Sequence, residues 1–436
     1  MPLPFIYHVL KNGPPEFVSE HTWPIVYTAL AVATLVLLKI YTSGSTNKSE
    51  RPLHGKVVML TGGTTGVGAM VADDLAKRGA QLVLLTRVAP SDPFLAEYIQ
   101  DLRDKHDNQL IYAEQVDLTS LQSIRKFATK WIDNAPPRRL DMVVLCAATL
   151  TPPGGKRVQT EEGVEETWMV NFLANFHLLS ILSPAIRAQQ FDRDVRIIIA
   201  TCSSYIRSPS LKDAVDDKNW SPGTAYARSK LALTVFAQAY QKHLDAYKRP
   251  DGIPMNSRVI LVDPGLCRTP GMRRWLTRGS LAGLAVYLCG YFVPWILLKS
   301  PNKGAQSLLY AAMESSLGRG QGGKLVKECR QVDFARSEVM DEEVAKKLWE
   351  ESDALIEKLE KAQAKKRATK KVDEEKAAKK REEKERMEEV ESLMSAIKKG
   401  RAKEKSKKEK KDKDKEKDKS KSDKSKSKRK SKKTES

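Results

Sequence analysis

The chain has 436 residues, enough for one large domain with appendages or for two ordinary ones, and a net charge of +21. The charge is uneven: the last 36 residues hold 19 Lys or Arg against 8 Asp or Glu, so the high pI describes a tail more than a fold. Five cysteines, odd in number and without a CxxC pair, and six unclustered histidines argue against a disulfide framework and a metal centre, and point to a reducing compartment.

Residues 1–22 form an N-terminal segment in which Lys11 stands among Glu16 and Glu20. Residues 23–41 follow, 19 positions with a single charge at Lys39 and with Trp23, Tyr27 and Tyr41 near the ends. That is close to the length a helix needs to cross a bilayer, and the aromatics suit its interfaces. The run starts late and lacks a basic leader and a small-residue cleavage pattern. It therefore reads as an uncleaved anchor rather than a buried core helix or a targeting segment. Lys39, Lys48, Arg51 and Lys56 follow it, which predicts a cytosolic globular part. Residues 42–50 read as a polar linker, and residues 51–358 as the main domain.

Within that domain Lys56–Leu60 has the pattern of a buried strand, then a Gly-rich turn, then a helix over Val67–Arg78. Gln81–Thr86, Leu140–Leu145, Val195–Ala200 and Arg258–Val262 continue the series, separated by helical stretches. Continuously apolar strands alternating with helices predict an α/β fold, a doubly wound parallel sheet covered on both faces. A second apolar run at 281–298 is broken by Pro294 and flanked by Arg273, Arg274, Arg278, Lys299 and Lys303. An amphipathic helix, Lys303–Met313, returns to the sheet after it. The run is expected to dip into one leaflet, with a soluble pocket lid or a true span as the other readings. Residues 359–400 read as a charged, exposed helix whose apolar seam is thin for a coiled coil. Residues 401–436 form a Lys-rich tail expected to be disordered.

The chemistry sits in ordered motifs. Thr61–Gly68 (TGGTTGVG) follows the first strand and opens a helix. Its glycines Gly62, Gly66 and Gly68 allow a tight turn, and the helix N-terminus at Val67 offers N–H groups to a pyrophosphate. Tyr226 and Lys230 lie four apart, on one face of a helix, where an ammonium favours the phenolate of a group otherwise near pKa 10. Thr86 and Arg87 end the second strand where an NAD site normally carries an acid, so NADP(H) is expected, with Arg87 on its 2′-phosphate.

The spacing of the glycine turn resembles that of the short-chain dehydrogenase/reductase family, and more of that pattern follows in order. Asp117 (VDLT), Asn171 (VNFLANF), Ser204 (CSSY), Tyr226 and Lys230 (YARSK), and Pro264, Gly265 and Thr269 (DPGLCRT) match it over Arg51–Leu355. The ending GGKLVKEC…KKLWEES looks most like the membrane-bound, retinol-dehydrogenase-like branch. The resemblance implies a Rossmann fold. It implies catalytic roles for Asn171, Ser204, Tyr226 and Lys230, with Asn171 positioning a water that relays protons through Lys230. It implies cofactor contacts from Thr61, Gly62, Gly66, Val67, Gly68, Arg87, Asp117, Tyr226, Lys230, Pro264, Gly265 and Thr269. The chain departs from the family at Leu145–Ala148, which lacks the usual Asn and Gly, and at Asp263.

The expected function is a membrane-associated, NADP(H)-dependent interconversion of carbonyl and alcohol on a lipophilic substrate, at the endoplasmic reticulum or a lipid droplet. The alternative is an inactive scaffold of the same fold. The tail suits anionic lipid or an acidic protein better than nucleic acid, having no aromatic residues among its lysines. A homodimer stays open.

Overall fold

The computed structural model describes residues 20–188, 194–213, 220–250, 252 and 254–430. The N-terminal segment 1–22 lies almost wholly outside the described residues, as do the last six residues of the tail.

In chain order the elements are α1 (Thr22–Ser43), β1 (Val57–Thr61), α2 (Gly66–Lys77), β2 (Gln81–Thr86), α3 (Pro93–His106), β3 (Ile111–Gln115), α4 (Leu121–Ile132) and β4 (Met142–Leu145). Then come α5 (Glu166–Arg187, with a π turn at Met169–Leu173), β5 (Val195–Ala200), α6 (Pro222–Asp245) and β6 (Ser257–Asp263). The remainder is α7 (Pro270–Leu276), α8 (Leu281–Cys289), α9 (Phe292–Leu297), α10 (Pro301–Met313), β7 (Lys324–Lys327), β8 (Arg330–Val332) and α11 (Glu342–Lys430).

The eight strands form one sheet in the order β3-β2-β1-β4-β5-β6-β7-β8, parallel except for β8. Strand order reverses between β1 and β4, which opens a crevice at their C-terminal ends. Alternate side chains of each strand feed opposite cores. Val57 and Met59 pack with α4, α5 and α6 through Phe127, Phe176 and Phe236. Val58 and Leu60 pack with α2, α3 and α10 through Leu75, Ile99 and Leu308. This period of two, with both faces buried, is why the strands read as unbroken apolar runs. The terminal β7–β8 hairpin was not expected as strands, since its seven residues include three charges and show no apolar run.

Among the described residues two helices are long and apolar enough to cross a membrane by length and composition alone: Thr22–Ser43, with none of its apolar window buried, and Glu166–Arg187, with 78% of its window buried. The second is α5, a core helix. The first stands clear of the fold except at its C-terminal end. There Lys39 Nζ donates to the Trp295 carbonyl at 2.6 Å, and Thr42 Oγ1 donates to that of Ile296. Residues 42–50, expected as a linker, run as a pinned strap. Ser45 N donates to Glu328 (2.9 Å), Asn47 N to Gln306 (3.0 Å), and Lys303 Nζ to Thr46 Oγ1 (2.7 Å). Short polar side chains hydrogen-bond as readily to a neighbouring surface as to water, which composition alone does not decide.

The apolar run 281–298 forms two short helices with exposed Leu281, Val286, Leu288, Phe292, Trp295 and Leu297. The break falls at Gly290–Tyr291 and not at Pro294. Pro294 lies in the first turn of α9, where its missing N–H removes no helical bond.

The chain divides into two units after Glu360, close to the expected boundary at 358. The first part of α11 belongs to the main unit, through buried Val344, Leu348 and Ile356. The second unit, Lys361–Ser436, is helical backbone to Lys430, where disorder was expected beyond Gly400. Lys and Glu are good helix formers, and pairs such as Lys384–Glu388 at 3.8 Å add to them, whereas a single internal glycine costs only about 1 kcal/mol.

Candidate active site

The crevice is built first from backbone. Gly62 has φ +70°, and a Cβ there would lie 2.8 Å from Ala147 N, so the turn after β1 sits directly on the segment after β4. A Cβ on Gly68 would lie 2.1 Å from Gly62 O, which seats α2 against its own turn. Tyr98 Oη donates to Gly63 O at 2.8 Å and braces the turn from α3; burial, then Asp73, pushes its phenol up to about 12. Thr61 Oγ1 accepts from Cys146 N (3.1 Å) and Ala147 N (3.2 Å). That hydroxyl joins β1 to β4 where Leu145–Ala148 lacks the expected Asn.

The other walls close around this turn. Thr269 caps α7, and its methyl lies against Gly66. Pro264 and Gly265 lead there from β6, with Gly265 N donating to Asp263 Oδ1 at 2.9 Å. Asp117 accepts from Thr119 N (2.8 Å) and Oγ1 (2.7 Å), an Asx turn after β3. Arg87 follows β2, exposed, and its guanidinium makes no hydrogen bond or ion pair among the described residues. Together the close glycine backbone, the free N-terminus of α2 and an uncommitted Arg87 fit a dinucleotide carrying a 2′-phosphate.

α6 is capped by the Ser221 side chain, which accepts from Thr224 N, and has Pro222 in its first turn. It presents Tyr226 and Lys230 on one face, as their spacing predicts. Lys230 is 3% exposed, donates to the Ala200 carbonyl at 3.1 Å, and lies 5.7 Å from the Tyr226 ring centroid. Burial lowers its pKa, opposed by Cys202, Cys146 and Asp263. Tyr226 is driven well above the ordinary phenol value, chiefly by burial and then by Cys202, Asp263 and Cys146. The expected phenolate is therefore not what this arrangement favours; burial holds Tyr226 as a neutral phenol.

Asn171 and Ser204, the other two expected catalytic residues, are both engaged in hydrogen bonds. Asn171 lies in the π turn of α5. Its side chain accepts from Thr149 N (2.8 Å) and donates to Thr149 O (3.0 Å) and Ser229 Oγ (3.1 Å). It ties the loop after β4 to α6. Ser204 makes its side-chain hydrogen bond to Cys202 Sγ at 2.8 Å, and it is Cys202 Sγ that reaches Tyr226 Oη, at 3.7 Å. Sequence reasoning also missed the cluster beneath: Asp263 accepts from Ser203, and Lys327 Nζ lies 3.5 Å from Asp263 and 3.0 Å from Ser203. The charges of Asp263 and Lys327 were visible, but their meeting depends on β6 pairing with β7.

Residues 56–278 match the family model described as short chain dehydrogenase. An uncharacterised oxidoreductase of Schizosaccharomyces pombe is 44% identical, over 85% of this chain and 99% of that protein. Mouse polyprenol dehydrogenase is 33% identical over 69% of this chain and 83% of its own length. Mouse retinol dehydrogenase 13 is 31% identical over 78% and 95%. A crystal structure of an uncharacterised protein from Mycobacterium Paratuberculosis shares the fold with a TM-score of 0.51 at 22% identity, covering 72% of this chain and 98% of that one. With the glycine turn, the Tyr226–Lys230 pair and the sheet order in place, the chain belongs to the short-chain dehydrogenase family and is an oxidoreductase of its retinol-dehydrogenase-like branch.

Proposed function

We propose that the protein is a membrane-bound oxidoreductase that uses NADP(H) to interconvert a carbonyl and an alcohol on a lipophilic substrate. The observation that carries the reading is the Tyr226–Lys230 pair on α6, standing at the C-terminal end of β5 beside the glycine turn. Bound NADPH would supply the hydride, held by the N-terminus of α2, by Arg87 at the 2′-phosphate, and by Asp117 and the loop from Pro264 to Thr269. Tyr226, kept neutral by its surroundings, donates its proton to the carbonyl oxygen as the alcohol forms, and takes it back in the reverse direction. Lys230 orients the ring and adds positive charge behind the phenol as it loses its proton. Asn171 holds α6 and the β4 loop at a set spacing, and Ser204 contributes through its hydrogen bond to Cys202. The departure at 145–148, which argued for an inactive scaffold, is offset by Thr61 taking both amides.

The lipophilic substrate and the membrane rest on one surface. α1 is largely apolar and buries none of its residues, and its half-buried end docks on α9, whose apolar neighbours on α8 are exposed as well. α8 and α9 follow the loop from Pro264 to Thr269 after the short α7. An anchor spanning the bilayer would thus bring the site's apolar rim down to one leaflet, so that a lipid enters without crossing water. The basic residues after α1 suit a cytosolic domain, and the endoplasmic reticulum and lipid droplets are the membranes this anchor fits. The Lys-rich tail beyond Gly400 suits anionic headgroups. The test is calorimetric binding of NADPH together with turnover of a Tyr226→Phe variant. Binding unchanged with turnover reduced by about 10²–10⁴-fold is expected; absence of binding at millimolar NADPH refutes the reading.

A further inference from the structure

We propose that Cys202, rather than Ser204, is the side chain that shares the substrate oxygen with Tyr226, and that Ser204 is a positioning residue acting through it. The inference rests on the carbonyl–alcohol reading above and names its second polar group. Tyr226 Oη accepts from Cys202 Sγ at 3.7 Å, and Sγ is 2.8 Å from Ser204 Oγ. The three groups form a chain: Ser204 and Cys202 share a hydrogen bond, Cys202 donates to the site, and the Tyr226 proton stays free for the substrate.

The backbone explains the order. Cys202 is the last extended residue after β5, at φ −161° and ψ 161°. The chain then tightens into a 3₁₀ turn over Ser203–Arg207. Had the strand continued, residues 202 and 204 would share a face and Ser204 would be the next one up the crevice. The turn removes it. Ser203 is turned away as well, its hydroxyl held by Asp263 and Lys327. A thiol is a weaker donor than a hydroxyl and its sulfur is more polarisable, so the oxygen site is softer than one built on serine. It is also open to alkylation, which a serine site is not.

The full-length protein in detergent micelles, with NADPH and either retinal or hexadecanal as carbonyl probe, tests the assignment. Cys202→Ala should lower kcat by about 10–100-fold with NADPH affinity unchanged, and Cys202→Ser should restore it. Ser204→Ala should lower kcat by less, and should have no further effect in the Cys202→Ala background, the signature of action through Cys202. Iodoacetamide should inactivate the wild type and spare Cys202→Ser. Bound NADPH should slow labelling of Cys202, read by mass spectrometry, which needs no carbonyl substrate. Wild-type turnover in Cys202→Ala with a dead Ser204→Ala overturns the inference and returns the role to Ser204. Unprotected labelling, or equal inactivation of Cys202→Ser, also overturns it. Wild-type turnover in Tyr226→Phe sinks the functional reading instead, independently of Cys202.

Discussion

Thr61 carries a role that the chain's departure at 145–148 would otherwise leave vacant, and Thr61→Val isolates it. Valine keeps the shape and the β preference of threonine but removes the oxygen that accepts from Cys146 N (3.1 Å) and Ala147 N (3.2 Å). Each amide left without a partner costs about 1–3 kcal/mol when fully buried. Cys146 and Ala147 line a partly open crevice, so water can reach the freed groups and the lower end applies. The two amides together then amount to about 2 kcal/mol. For a domain of this size that is roughly a 3 °C fall in melting temperature, measured by scanning calorimetry on the full chain in detergent. Cofactor affinity should fall too, because Ala147 N is the atom on which the Gly62 turn rests. Thr61→Ser keeps the oxygen and should behave as wild type in both respects. If Thr61→Val melts with the wild type and binds NADPH equally well, the hydroxyl does not replace the missing asparagine.

Other outcomes follow from the same geometry. Arg87→Glu removes the guanidinium expected to pair with the 2′-phosphate and presents an acid in its place. NADPH affinity should fall by about 10–100-fold, as for a lost charge-assisted hydrogen bond, while NADH gains; an unchanged preference by calorimetry counts against Arg87. His177 is 3% exposed, 3.4 Å from Glu360, and burial lowers its pKa to about 4, with Glu360 opposing the shift. The unfolded chain therefore takes up a proton near pH 6.5 that the folded chain refuses until about 4. Folding stability should fall as pH drops across that window, by on the order of 3 kcal/mol in total. The difference between wild-type and His177→Gln denaturation curves should show the slope vanish in the variant, and parallel curves contradict it. Cys289 is an exposed thiol on α8. In sealed microsomes it should resist a membrane-impermeant maleimide added from the cytosolic side and react once detergent is present, whereas full reaction in intact membranes rules out burial of α8 in the leaflet.

The α/β class, the glycine turn, the apolar strands and the Tyr226–Lys230 pair were legible from the chain because each depends on local spacing. A buried parallel strand is an apolar run whatever its neighbours, and two residues four apart on a helix share a face whatever the helix packs on. The positions of Arg87, next after β2, and of Asp117, two past β3, depend on the same local spacing. What tertiary structure decided is every contact that joins distant segments. Thr61 takes over for residues 145–148 because β1 pairs with β4, and Asp263 meets Lys327 because β6 pairs with β7. Asn171 meets Thr149 and Ser229 because the loop after β4 and α6 converge on it. The polar stretch 42–50 became a strap only where acceptors on α10 and beyond β7 came within reach. At the centre of the site, a turn that begins one residue past Cys202 exchanged a serine for a thiol beside Tyr226. Residue spacing in an extended strand could not foresee that, because the strand had already ended.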